Sequence, residues 1–302
     1  MKKLLSFTAF FYLLAGSLHA DLLPEAVLAF PAETTVLEYD SLSTLRALPN
    51  YQELRKQYAS ASFERARKDL LALGISEDQI MEAVMATGPN GFFGLLAGTL
   101  RTPSAAEAVK QGMTAGVLEK QAVFCAEDAM CFLFSTREGG RVLFGTSAQL
   151  RAICEVMQGR APSLRNNAEL SELFGRMETH SPVVGVAPGS KILLWAGYGV
   201  SQALSSLDLT KISTDIQSFG YSVTFDGNGH AGSKNVGLNH VGLNLVCRSE
   251  QSASVLGAVL AAAGGLERAA ASVPGVGALP FNNMVVSSAG RLVAVKLDAP
   301  MQ

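Results

Sequence analysis

Alternation of apolar and polar positions is clearest in the last third of the chain. Phe219, Tyr221, Val223 and Phe225 recur at every second residue and mark one face of a strand, and Val241, Leu243, Leu245 and Cys247 do the same on its expected partner. Ser249 caps a small-residue helix from 250 to about 263. Two further apolar runs, 281–287 and 291–297, are joined by Ser288-Ala289-Gly290 and predict a closing hairpin.

The first half reads in a similar order. Residues 34–38 are rich in β-formers, and Pro49-Asn50 introduces a helix that ends at Gly74. Ser76 with Gln79 fits a capping box and predicts a short helical turn. Runs 80–87 and 92–100 flank Gly88-Pro89-Asn90-Gly91, whose Asn-Gly tip is a hairpin signal. Thr102-Pro103 opens a helix that runs to Gly112, three short strands follow at 121–125, 130–136 and 141–145, and helices are expected over 147–158 and 167–177. Hairpins dominate over β-α-β crossovers, so the fold class is α+β, with antiparallel β-hairpins packed with helices. The shared order predicts internal duplication of a hairpin-helix-hairpin unit over 80–145 and 212–297, within an N-terminal half of 21–180 and a C-terminal half of 181–302.

The first 20 residues differ from the rest. Lys2 and Lys3 precede an apolar run from Leu4 to Ala15, and small residues lead to Ala20. That layout is a secretory signal peptide over 1–20, cleaved after Ala20, because the run falls short of the roughly 20 residues that span a bilayer. A periplasmic or extracellular location follows as the expectation. No later run reads as a transmembrane segment, which leaves peripheral membrane contact open. Charged residues make up 17% of the chain and hydrophobic ones 48%, which argues against disorder. A net charge of −2 and a pI near 6.1 give no basic footprint for nucleic acid.

An exported chain meets oxidising conditions, so its four cysteines bear on the fold. Cys125 and Cys131 flank a turn between two strand-like runs and would face each other in a hairpin, which makes them the disulfide candidate. Cys154 and Cys247 read as buried thiols.

Candidate chemistry is sparse. Gly227-Asn228-Gly229-His230-Ala231-Gly232 spells G-x-G-x-x-G, yet a second strand follows where a dinucleotide site needs a helix start, so it reads as a loop. Asp226, His230 and His240 flank that tip and are the metal candidates, although their spacing matches no recurrent zinc signature. His180 precedes Ser181-Pro182 and reads as a helix-to-strand linker. G-x-S-x-G is absent. The run 192–200 holds the single Trp and reads as a core element or an apolar patch that engages a partner or membrane surface. Val236-Gly237-Leu238-Asn239 and Val241-Gly242-Leu243-Asn244 repeat with an odd shift, which predicts a bulge near His240. No catalytic residue and no cofactor is assigned. The chain is expected to be an exported binding or scaffold protein with a protein or envelope partner; the alternative is a secreted hydrolase whose site assembles only in space.

Overall fold

The computed structural model describes residues 22–48, 51–52, 61–127, 130–135, 140–192, 214–225, 238–271 and 282–300. The class is α+β: twelve antiparallel strands form one sheet in the order β11-β12-β10-β9-β8-β1-β2-β3-β7-β6-β5-β4. The strands are β1 (Val36–Asp40), β2 (Ile80–Gly88), β3 (Gly91–Gly98), β4 (Thr114–Leu118), β5 (Gln121–Cys125), β6 (Cys131–Phe134), β7 (Arg141–Gly145), β8 (Val183–Pro188), β9 (Ile216–Phe225), β10 (Leu238–Cys247), β11 (Asn282–Ala289) and β12 (Leu292–Pro300). The helices are α1 (Leu22–Ala29), α2 (Leu42–Arg46), α3 (Ala61–Ala72), α4 (Ala105–Lys110), α5 (Ser147–Met157), α6 (Ala168–Phe174) and α7 (Glu250–Ala271).

Period-two alternation in the strands sorts side chains onto two faces. On the first face, Leu37, Val84, Leu95, Leu133, Leu143 and Val186 pack with α1, α5 and α6. Phe30 at the end of α1 meets Phe93 edge-on at 4.9 Å, and Arg141 on β7 pairs with Glu25 of α1 at 3.0 Å. The second face carries two separate cores. One, under α3, is aromatic and includes Phe124, Phe132, Phe134 and Phe144; the other packs Phe219, Leu243, Leu245 and Val295 against Ala253, Leu256 and Leu260 of α7.

The hairpins expected at 80–100 and 281–297, and the three strands after 121, form where the alternation places them. The Ser76 backbone N–H donates to Gln79 Oε1 at 2.9 Å and opens a 3-10 turn, Glu77–Gln79. Several expectations need correction. The cap of α4 is Ser104, which is reciprocated by Glu107, rather than Thr102. Helix α7 does not stop at Gly264-Gly265 but continues to Ala271, because Gly264 lets the helix come close to β11: a Cβ there would lie 3.3 Å from Met284 Cβ. The β9–β10 register is continuous from Asn239 to Val246, so the bulge falls at Val246/Cys247 and not near His240. Strand β4 has no counterpart in the sequence reading.

Outward from the β1/β8 junction, both sides of the sheet share an order. A meander of three strands precedes a helix, and the strand that closes the following hairpin docks beside the third meander strand: β1-β2-β3-β7-β6 on one side and β8-β9-β10-β12-β11 on the other. The helices between them differ, six residues in α4 against 22 in α7, and among the described residues β4 and β5, on the first side, have no counterpart on the other.

Cys125 and Cys131 pair across β5 and β6 and are joined by a disulfide, with their Cα atoms 4.0 Å apart. Cys154 and Cys247 are free and buried. The β4–β5 turn is made by Glu119 and Lys120, both left-handed at φ 48° and 65°. Two consecutive left-handed residues define the tight hairpin turn that prefers Asn-Gly, so here two ordinary side chains hold a conformation that costs them roughly 1–2 kcal/mol each. The double substitution Glu119→Asn with Lys120→Gly is therefore expected to raise stability by about 1–2 kcal/mol in urea denaturation, after loss of the exposed 3.7 Å contact between Glu119 and Arg160.

Candidate functional site

On the second face, the strand registers link one residue from every strand into a single lateral row. From β4 to β11 it reads Ala115, Phe124, Phe132, Phe144, Gly94, Met85, Glu38, Gly185, Tyr221, Leu243, Val295, Val286. Glu38 is the one charged residue in it. A neighbouring row runs Phe134, Val142, Leu96, Ala83, Asp40, Val183, Val223, Val241, Leu297, and Asp40 is again the single charge. Two carboxylates on the central strand thus interrupt an otherwise apolar face, where the aromatic core under α3 gives way to the core under α7.

Gly185 is what allows Glu38 a partner. It lies between Glu38 and Tyr221 in the row, and a Cβ on it would fall 2.3 Å from Tyr221 Cζ. The ring therefore lies across β8, and its hydroxyl donates to Glu38 Oε2. Burial raises the Glu38 carboxyl, opposed in part by that hydrogen bond. Burial, with the charge of Glu38 second, pushes Asp40 well above its usual range. The Tyr221 phenol is raised by burial, then by Glu38 and Asp40. On the other face of β1, Tyr39 donates to Glu82 Oε1 at 2.7 Å.

A second polar group sits at the far end of the first face. His240 on β10 pairs directly with Asp298 on β12, and Nδ1 lies 2.7 Å from Asp298 Oδ1. Asn283 on β11 donates to Asp298 Oδ2, also at 2.7 Å, from a left-handed backbone (φ 53°) within the bulge between Asn282 and Val285. Asp298 is lowered, chiefly by the Asn283 hydrogen bond and further by His240. An ionised carboxylate only accepts, so Nδ1 of His240 is the protonated, donating nitrogen. A carboxylate-held imidazole of this kind can take up a proton or orient toward a ligand. The imidazole side chain is 43% exposed.

Of the metal candidates, Asp226 and His230 lie outside the described residues, as do the glycine-rich motif and the 192–200 run beyond Ile192. His240 lies on β10 and pairs with Asp298. His180 lies in the turn between α6 and β8, the linker position expected of it. Burial raises both free thiols, Cys154 and Cys247, so both are protonated and weakly nucleophilic. A hollow of about 150 Å³ lined by Glu33, Thr34, Asn90, Phe93, Gln149 and Ile153 holds none of these groups and is smaller than the roughly 300–1,000 Å³ of small-molecule pockets. Asp298, Asn283 and the carboxylates of β1 carry no signal in the sequence, and Tyr221 reads there only as a strand-face residue. Their meeting depends on pairings between strands as far as 183 residues apart, and no local spacing signals it.

Raised carboxyls in the folded state mean that the folded chain binds more protons than the unfolded one. Stability is therefore expected to fall as pH rises from the ordinary carboxylate values of 3.8 for Asp40 and 4.5 for Glu38, until the folded-state values are passed. Urea denaturation at a series of pH values should show this decline in the wild type and a flatter profile in Asp40→Asn, with the variant the more stable at neutral pH. In the same assay Gly185→Ala should cost about 1–3 kcal/mol by displacing the Tyr221 ring.

No family model matches the chain, and no curated protein matches it. Among solved structures, crystal form I of TP0453 is similar at 11% identity with a TM-score of 0.49, and 92% of each chain is covered. Crystal form III of TP0453 gives 10% identity and a TM-score of 0.48 over 91% of this chain and 94% of that one. Crystal form IV gives 10% and 0.46 over 91% and 92%.

Proposed function

We propose that this chain is an exported envelope or extracellular protein that works as a binding or scaffold module. The observation that carries the reading is the open end of the first face. Helices α1, α5 and α6 pack on that face as far as β9, with Val246 and Leu292 at the margin of their core, whereas farther along β10, β12 and β11 the surface carries His240, Val285, which is 62% exposed, and Lys296, which pairs at 3.0 Å with Glu178 from the turn before β8. A broad sheet surface that mixes a held imidazole, an exposed ion pair and an aliphatic side chain suits a protein or envelope partner better than a small substrate, which needs a concave pocket. The signal-like segment 1–20 supports export to the periplasm or medium. Among the described residues no helix is long and apolar enough to cross a membrane.

The second reading, a secreted hydrolase, is favoured by one feature: Asp298, itself held by Asn283, orients the His240 imidazole as a carboxylate orients a general base.

Expression of the whole chain in a bacterial host tests both. The periplasmic product is expected to begin at Asp21 on N-terminal sequencing. A photo-crosslinking residue at 285 or 296 should give discrete adducts that are missing from position 255, exposed on α7 and packed with the opposite face. Retention in the cytoplasm with residues 1–20 intact, or the same adducts from all three positions, would overturn the first reading. Ester or peptide hydrolysis that disappears in folded His240→Ala and Asp298→Asn would establish the second.

A further inference from the structure

The two outer strands of the sheet are unlike. At one edge, β11 carries a bulge and the left-handed Asn283, and α7 packs against it along its length. Bulges and cover are how natural sheets prevent edge-to-edge pairing. At the other edge, β4 is Thr114-Ala115-Gly116-Val117-Leu118, with no charge, no proline and no bulge in its register with β5. Val117 is 76% exposed, and Val109, on the helix α4 that packs against β4, is 60% exposed.

We infer that the β4 edge pairs antiparallel with β4 of a second copy of this chain, about a two-fold axis at Gly116. The strand is complementary to itself in that register. Ala115 and Val117, which share the second face, exchange places across the axis, so each copy's Val117 is covered by the partner copy's Ala115. Ala115 is also the last residue of the apolar row through Phe124, Phe132 and Phe144, so pairing continues that row from one copy into the next. Thr114 comes opposite Leu118, and no like charges meet within the five residues. A two-fold contact of this kind is isologous and closes at two copies, because the guarded β11 edge offers no second site. A five-residue edge with a single valine from each copy falls at the small end of specific interfaces, and the dimer is expected to be weak and concentration-dependent.

Sedimentation velocity on the full-length mature chain over a concentration series provides the test. The wild type should shift from monomer to dimer with concentration, and Val117→Lys should weaken the association by at least about tenfold. Val255→Lys, on the remote surface of α7, should leave it unchanged. A second variant reads the register. A Cβ at Gly116 would lie 3.4 Å from Val123 Cγ1, an ordinary contact, so Gly116→Cys is compatible with the fold, and its thiol would face its own copy across the axis. Oxidised Gly116→Cys should form a disulfide-linked dimer, whereas Thr114→Cys, opposite Leu118, should not. A chain that stays monomeric at every concentration, a dimer indifferent to Val117→Lys, or crosslinking of Thr114→Cys in preference to Gly116→Cys would each overturn the inference.

Discussion

Four residue pairs between β1 and β8, from Leu37 with Val186 to Asp40 with Val183, join the strands before residue 180 to those after it, and every other strand pairing described lies on one side or the other. Without this contact the sheet becomes two smaller antiparallel sheets with four edges instead of two. Strand β1 has five residues, so the junction cannot rely on ladder hydrogen bonds alone. It is fixed by what its alternate residues do on each face. Leu37 and Tyr39 enter the core beneath α1, α5 and α6, and that core takes Val184 and Val186 from the far side of the junction.

The opposite face of the same strand is chemically inverted. Glu38 and Asp40 stand where two apolar rows would otherwise run unbroken, and the cores under α3 and α7 remain separate there. Burying a carboxyl is unfavourable unless it is hydrogen-bonded or protonated. The protein uses both routes: Tyr221 reaches over Gly185 to Glu38, and Asp40 holds its proton to higher pH than an exposed aspartate would. A glycine beneath an aromatic ring recurs in the same row, where a Cβ on Gly94 would fall 2.5 Å from Phe144 Cζ. One glycine thus seats an apolar ring in the core under α3, and the other seats a ring whose hydroxyl serves a carboxylate.

The two polar sites differ in character. The β1 acids are half-buried within the sheet face, and they tie the stability of the junction to proton concentration. His240 with Asp298 and Asn283 is open to solvent at the end of the sheet, where a partner can reach it. For the binding role proposed above, the antiparallel ladder would supply a stiff frame, and the limited reach of α1, α5 and α6 would leave an accessible surface.

Much of the fold was readable in the sequence because antiparallel hairpins are local. Asn90-Gly91 marks its turn, Phe219 to Phe225 alternates, and Cys125 and Cys131 sit at matched distances from their turn, so neighbours in sequence become neighbours in space. Helix ends were less legible where packing overrides local preference: Gly264-Gly265 looks like a stop, but contact with Met284 carries α7 past it. The short uncharged β4 carries too little pattern to be recognised without β5 beside it. Which hairpin lies next to which was decided only in three dimensions, because β1 could in principle pair with any exposed edge. That choice put Glu38 beside Gly185 and Tyr221, and the β10–β12 pairing put His240 beside Asp298. The sequence by itself determined the turns, the alternation and the disulfide partners, all properties of segments a few residues long. Tertiary structure decided the row in which each side chain lies, because lateral register depends on the complementarity of whole faces and leaves no periodicity along the chain.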